Sequence, residues 1–373
     1  MGHHRLRRVL SATQSQWGAL VRSPSNPRPA RIADVAREAG VSITTVSHVL
    51  SSKRPVAPQT RQAVLDAAQR MGYRPTVAAR GLATGRTMAL GLQFPMEGEN
   101  LLFNPYFPLL LGSLSAAAIQ DGYSFVLLPA RRSNEFPLES LLETQRLDAA
   151  ILVDPSGNND VLPLLRDYRV PIVTVGRYLG RARTHWVDND HAVGIGRVLE
   201  HLAEQGYRRP ALISLGHERF SYIFDIENSY RARQVEAGGE PIVIRAQDLS
   251  ERAGYDAAVT LLTRADRPDA IIAAVDRQAI GVLGAAEELG ISVPGELGVV
   301  GEGDTLLSRN AHPPLTTIDP RAAELGAQAI AVVRQILDEG DRPSRMITLT
   351  VETRLVARES TARVVSPGPA ASP

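Results

Sequence analysis

The chain has 373 residues, 44% of them hydrophobic, with 41 basic and 40 acidic side chains and a net charge of +1. This is enough for two or three domains with sizeable cores, and the absence of cysteine excludes disulfides, thiolate metal sites and a cysteine nucleophile. The near-neutral total hides an uneven distribution: residues 1–86 carry 14 basic residues against Asp34, Glu38 and Asp66, leaving 27 basic and 37 acidic residues for the other 287. A basic head on an acidic body is expected when one end of a chain meets a polyanion.

Residues 1–30 contain no acid and include Pro24, Pro27 and Pro29, which predicts a basic, disordered arm. The sequence leaves open whether they belong to the native protein. The apolar stretch ending at Leu10 is too short for a signal peptide, and no apolar run approaches the ~18 residues of a membrane span. The expected location is cytoplasmic and nucleoid-associated.

Residues 32–50, IADVAREAGVSITTVSHVL, carry the strongest pattern. Ile32, Val35, Ala36 and Ala39 share one helical face, and Val46, Val49 and Leu50 repeat it after a break. Gly40 can end the first helix in the left-handed conformation, and Ser42 is a ready N-cap for the second. This is the layout of a helix-turn-helix, whose second helix enters the DNA major groove. An ordinary helical hairpin would also fit these residues, but the local excess of positive charge favours the DNA reader. A third helix is predicted over 58–71, with Val64, Leu65, Ala68 and Met71 facing inward and Gly72 closing it. The stretch 76–86 reads either as a linker or as a marginal helix that forms when something packs against it.

Beyond it, apolar strand-like runs occur at 88–94, 124–129, 149–153, 171–175, 210–215, 241–245, 269–274, 297–300 and 346–351. Amphipathic helical stretches such as 191–206 and 276–290 separate most of them. Buried strands alternating with helices predict parallel sheets covered on both faces. Nine such strands exceed the needs of one compact lobe, so two similar lobes are expected. Catalysis finds little support. There is no HExxH motif, the glycine pairs at 194/196 and 301/303 lack dinucleotide-loop spacing, and no Walker A run exists. His185, His191, His201 and His217 lack metal-ligand spacing and read mostly as surface or capping residues. Asp188 and Asp190 read as caps of the helix beginning near 191. No enzyme activity, cofactor or metal is expected.

The chain resembles the LacI-type family of bacterial transcription repressors. The residues that carry the resemblance are DVAREAGVSITTVSHVL (34–50), Thr60-Arg61, Tyr73-Arg74-Pro75 and AARGL (78–82), and it extends through nearly all of 31–358. The fold it implies is a small all-α helix-turn-helix head plus an α/β, periplasmic-binding-protein-like body of two parallel-sheet lobes. The corresponding divisions are a head at 31–75, a hinge helix or linker at 76–86, a body at 87–358 and a disordered tail at 359–373. By that resemblance the protein is a repressor on a pseudo-palindromic double-stranded operator, acting as a homodimer or a tetramer, with a small-molecule effector bound between the lobes. Ile43, Thr44 and His48 would face bases, with Thr45 and Ser47 nearer phosphates; Arg61, Tyr73 and Arg80 join the DNA-binding set. Leu82 would be the wedge that unstacks a base step and kinks the duplex. His48 stands where an Arg is common, which weakens any guanine preference there.

In the body the resemblance quotes NPYF (104–107), VDNDHAVG (187–194), HLAEQGYRR (201–209), VPGELGVVG (293–301) and PPLTT (313–317). Ligands in open α/β sheets sit beyond the carboxyl ends of the strands, which nominates Tyr106, Phe107, Arg177, Leu249, Asp276 and Asp304, with Tyr106, Phe107 and Leu249 as apolar walls. Three polar positions that the family's sugar binders use are replaced here by Ile226, Val275 and Gly303. The alternatives are a different, less polar effector or one held by other residues, a sugar, or a cleft with no physiological ligand. A solute-binding or sugar-processing protein with the same two-lobed body is the alternative class. It predicts an export signal and no basic head, the reverse of what the sequence has.

Overall fold

The computed structural model describes residues 30–51, 54–73, 86–95, 104–131, 138–144, 146–215, 220–340 and 345–363. It divides into two compact units, Met1–Arg86 and Thr87–Pro373. The expected arm at 1–30 and the hinge positions Arg80 and Leu82 lie outside the described residues.

In the first unit three helices, α1 (Ile32–Glu38), α2 (Ile43–Ser51) and α3 (Pro58–Arg70), enclose a small core of Val35, Ala36, Val46, Val49, Val64, Ala67 and Ala68. The turn between α1 and α2 follows from two residues. Gly40 takes φ +66°, which lets Val41 N reach back to Ala36 O at 3.0 Å. Ser42 Oγ then accepts from Thr45 N at 3.0 Å and starts α2. The expected inward face of α3 needs correction: Ala67 is buried, whereas Leu65 and Met71 are 39% and 37% exposed. Leu65 lies one helical step of ~100° off the Val64–Ala68 face, and Met71 is already the C-cap.

The second unit contains two six-stranded sheets. The first has the order β11-β5-β4-β3-β1-β2, formed by Thr348–Val351, His185–Asn189, Ile172–Val175, Ala149–Val153, Ala89–Gln93 and Ser124–Leu128. The second has the order β12-β10-β9-β8-β6-β7, formed by Arg354–Val356, Thr316–Asp319, Gly298–Glu302, Ala270–Ala273, Pro210–Leu215 and Ile242–Ala246. Every pairing is parallel except β10 with β12. Parallel neighbours require helical crossovers. In chain order these are α4 (Tyr106–Gln120), α5 (Leu138–Thr144), α6 (Val161–Asp167), α7 (His191–Glu204), α8 (Ser221–Glu236), α9 (Glu251–Leu262), α10 (Asp276–Glu288), the short α11 (Leu306–Asn310) and α12 (Ala322–Glu339). Each sheet has an apolar cluster on either face: β1 and β3 pack on α4 and α12 on one side and on α5 and α6 on the other.

Among the described residues, three of the twelve strands escape an apolar-run criterion. β5 (HWVDN) and β10 (TTID) are largely polar, and β12 is three residues long. β10 and β5 lead directly to places where the chain passes between the sheets. Asn189 ties those passages together: its amide donates to Pro320 O at 2.8 Å and Val351 O at 3.3 Å. The expected tail at 359–373 also needs correction. Residues Glu359–Thr361 form a 3-10 turn in which the Ser360 hydroxyl donates to Val299 O at 2.6 Å and accepts from Thr316 N at 2.8 Å, so the body extends past 358. No helix among the described residues is long and apolar enough to cross a membrane.

Helices α9 and α10 approach closely because glycines face each other's backbone. A Cβ on Gly281 would sit 2.0 Å from Glu251 O, and one on Gly254 would sit 2.2 Å from Gln278 O. In an isolated helix Gly→Ala stabilises by about 1 kcal/mol. Here the backbone clash reverses the sign, so Gly281→Ala is expected to destabilise the body by about 1–3 kcal/mol. Calorimetry on the two proteins checks this, and an unchanged or raised Tm would contradict the packing.

Candidate functional site

The first candidate surface is the start of α2. Ile43 is 51% exposed although it is a large apolar residue, and Thr44 beside it is exposed. Val46 and Val49 anchor the opposite face of the helix in the core, so the free face is fixed by packing on three helices. Thr45, Ser47 and His48 are half-buried at the rim. Arg61 is exposed on α3, and Tyr73 packs against the small core, where burial raises its hydroxyl pKa. The sequence-nominated base and phosphate residues within the described head therefore include an exposed pair on one helix end.

The second is a cavity of about 650 Å³, counting the space at its mouth, within the body. Its walls come from the residues just past strand ends: Asp154 after β3, Gly176 after β4, Asp188 and Asn189 at the end of β5, Val275 and Asp276 after β8, Glu302 and Gly303 at the end of β9, and Pro320 after β10. Tyr106 and Phe107 at the start of α4 and Tyr222 on α8 complete it. Both sheets thus direct their carboxyl ends at one space.

Of the six sequence-nominated residues, Tyr106, Phe107 and Asp276 line this cavity. Phe107 is mostly core, packed edge-on against Phe94 with centroids 5.4 Å apart. Asp276 is committed to structure: its carboxylate accepts from Thr305 N and Oγ1, both at 2.9 Å, and from Thr317 Oγ1 at 2.6 Å. Burial still raises its pKa against those hydrogen bonds. The other three do not line it. Arg177 is drawn to carboxylates, with Nε donating to Asp188 Oδ2 at 3.2 Å and Nη2 pairing with Asp225. Asp304 pairs with Arg358 and Arg309, which overcome its burial and hold its pKa below the ordinary value. Leu249 packs on the cluster of Leu215, Phe220, Ile223 and Ala274. Ile226 likewise points into core, whereas Val275 and Gly303 face the cavity.

The polar chemistry of the cavity rests on residues the motif reading missed. His191, expected to be a surface or capping residue, is 5% exposed. Its Nε2 lies 3.5 Å from Asp188 Oδ1 and its Nδ1 lies 3.2 Å from Glu302 Oε1. The Nδ1 approach is an ion-pair distance without hydrogen-bond geometry, so that nitrogen keeps an unused polar direction. Burial alone would depress the imidazole pKa, but Glu302 and Asp188 outweigh it and raise it well above the ordinary value. The helix cap is Asp190, which accepts from Val193 N at 3.0 Å. Asp154 has a left-handed backbone, φ +41°, and the side-chain space it needs exists because Gly176 has no Cβ; one there would lie 2.4 Å from Asp154 Oδ1. Burial first, then repulsion from Asp188 and Glu302, raise the Asp154 pKa to about 7, against the pull of His191. Burial first, then the charges of Asp154 and Glu302, push Tyr106 and Tyr222 well above the usual phenol range. The signal for Asp154 and His191 was available: they stand one and two residues past a strand end, the region that open α/β sheets use for ligands. Tyr222 lies at the start of a helix reached through residues 216–219, and no sequence pattern marked it.

Residues 31–76 match the model for bacterial regulatory proteins of the lacI family, and residues 199–361 match the periplasmic binding protein-like domain. The HTH-type transcriptional regulator CelR of Thermobifida fusca is 31% identical over 332 residues, covering 87% of this chain and 96% of that protein. The HTH-type transcriptional repressor PurR of Proteus mirabilis is 30% identical, covering 89% and 97%. Among solved structures, a complex of CelR with cellobiose superposes with a TM-score of 0.68 at 27% identity, covering 89% of this chain and 99% of that one. The lac repressor dimer bound to operator and the anti-inducer ONPF gives 0.70 at 25% identity, covering 90% and 99%. With relatives this similar over nearly their whole length, the chain belongs to the lacI family of bacterial regulatory proteins, and it is a transcriptional regulator rather than an enzyme.

Proposed function

We propose that the protein is a homodimeric repressor that reads a pseudo-palindromic operator with its head and releases or grips it in response to a small molecule in the body cavity. The observation that carries the DNA half is the free N-terminal end of α2, where Ile43 and Thr44 are exposed on a helix fixed by its buried face. A helix presented this way offers side chains to base edges, while a dimer sets the spacing of two half-sites. Ile43 contributes apolar contact, for example to a thymine methyl, Thr44 and His48 contribute hydrogen bonds, and Thr45, Ser47 and Arg61 contribute phosphate contacts. Arg80 and Leu82, outside the described residues, would join from the hinge. The effector half is supported by the cavity at the strand ends, and the relatives crystallised with cellobiose and with ONPF carry small molecules. The residues assigned to the effector are Tyr106, Asp154, His191, Tyr222 and Glu302, with Arg177, Leu249 and Asp304 supporting the walls from outside.

Selection of bound fragments from random DNA by the full-length protein tests this reading. A two-fold symmetric site should emerge, bound at least ~10³-fold tighter than random DNA at physiological salt. His48→Ala should relax preference at one base pair in each half-site by about 0.5–1.5 kcal/mol, the worth of a single hydrogen bond. Leu82→Ala should weaken binding without changing Tm. Fragments bound no better than random DNA, together with a neutral Leu82→Ala, would overturn the assignment.

A further inference from the structure

The body cavity contains more negative charge than its own residues neutralise. Four carboxylates line it, those of Asp154, Asp188, Asp276 and Glu302. Asp276 is spent on hydroxyl and amide donors, and Asp188 is covered from outside by Arg177, itself shared with Asp225. His191 sits between Asp188 and Glu302 and serves both. Arg277 also lines the space, but it acts on Asp248. For the Asp154 carboxylate no hydrogen-bond or ion-pair partner is found among the described residues. Aromatic rings enclose the same space: Tyr106 is tilted against Phe107 with centroids 5.9 Å apart, and Tyr222 lies 6.0 Å from the His191 ring and stacks on Phe220 at 5.8 Å. Asp154 is half-buried, and a carboxylate partly withdrawn from water with no partner is costly; such groups concentrate at functional sites.

From the unpaired Asp154, the neighbouring Glu302 and the tyrosine rings that line the same cavity, we infer that the effector carries a protonated amine, which completes the charge of this cavity. This rests on the reading of the cavity as the effector site. An ammonium group gains from a carboxylate it can reach and from the negative faces of aromatic rings. A bare metal ion fits less well, since no group of three or more His, Asp or Glu among the described residues has metal-binding geometry. His191, 5% exposed and held in its protonated form by Asp188 and Glu302, can donate only to an acceptor group of the ligand, which leaves Asp154 as the partner for the ammonium. The substitutions at Val275 and Gly303 fit the same picture. The lining is mainly apolar, and the polar groups it keeps are chiefly carboxylates. A neutral polyol would leave Asp154 uncompensated.

Titration calorimetry on the full-length protein at pH 7.5 with matched pairs tests the inference: glucosamine against glucose, the chitosan disaccharide against cellobiose, and 1,5-diaminopentane against 1,5-pentanediol. At least one amine should bind ~10-fold or more tightly than its neutral partner. That advantage should shrink as the pH falls to 5.5, where Asp154 is protonated, and be lost in Asp154→Asn. Equal or tighter binding of a neutral partner overturns the inference while leaving the effector site in place. Binding by no member of any pair also overturns it, and the regulator reading is then judged separately by operator selection, which needs no effector.

A second measurement tests the charge claim without a ligand. The Asp154 pKa is raised on folding from 3.8 to about 7, so the native state loses stability as pH climbs between those values and its carboxyl is forced to ionise. Asp154→Asn removes that loss. Its Tm gain over wild type should therefore be small near pH 4, grow up to about pH 7 and stay level above. A variant less stable than wild type at pH 8 would show that the carboxylate already has a partner, and would overturn the inference.

Discussion

Parallel strands buried on both faces cannot be joined by hairpins, and most of the body follows from that constraint. Each strand must hand over to a crossover helix, so its carboxyl end opens into a loop rather than into another strand. Two such sheets point their carboxyl ends at one cavity, and Asn189 ties the passages between them to Pro320 and Val351. The residues with chemical work to do stand at a strand's carboxyl end or within three residues beyond it: Asp154, Gly176, Asp188, His191, Asp276 and Glu302. The strands' apolar interiors provide the packing, and their first polar residue provides the site.

This also decides what a sequence can reveal. Continuous apolar runs such as AAILV at β3 and PALISL at β6 are legible because burial on both faces leaves no polar alternation. The strands of mixed polarity, HWVDN and TTID, are not, since their polar residues serve the cavity and the crossovers rather than the core. The helix-turn-helix was legible to the residue, with Gly40 and Ser42 acting as their positions predict. The cavity was legible in location but not in membership. Arg177 and Asp304 sit at strand ends as expected, yet each is captured by oppositely charged neighbours from distant parts of the chain, Asp225 for one and Arg358 for the other. Such pairings depend on tertiary contacts that spacing does not encode. His191 was misjudged for the same reason: its carboxylate partners, Asp188 and Glu302, come from different sheets.

Charge is divided on two scales. Along the chain, the first 86 residues hold 14 basic and three acidic side chains, and the rest hold the opposite excess. Inside the body, the cavity concentrates carboxylates that the protein does not fully neutralise. The first asymmetry suits a polyanion that many arginines meet at once, and the second suits one small cation. The two would meet in a single regulatory cycle, in which charge compensation in the cavity changes how the heads engage DNA. Differential affinity of the ligand for two body conformations is what such coupling requires.

The salt dependence of operator binding tests the central claim, that the basic head is an operator reader, most directly. The full-length protein, titrated by fluorescence anisotropy onto its selected operator, should lose at least ~10³-fold in affinity between 50 and 200 mM salt if it neutralises six or more phosphates. An affinity that changes less than about threefold over that range would contradict the account.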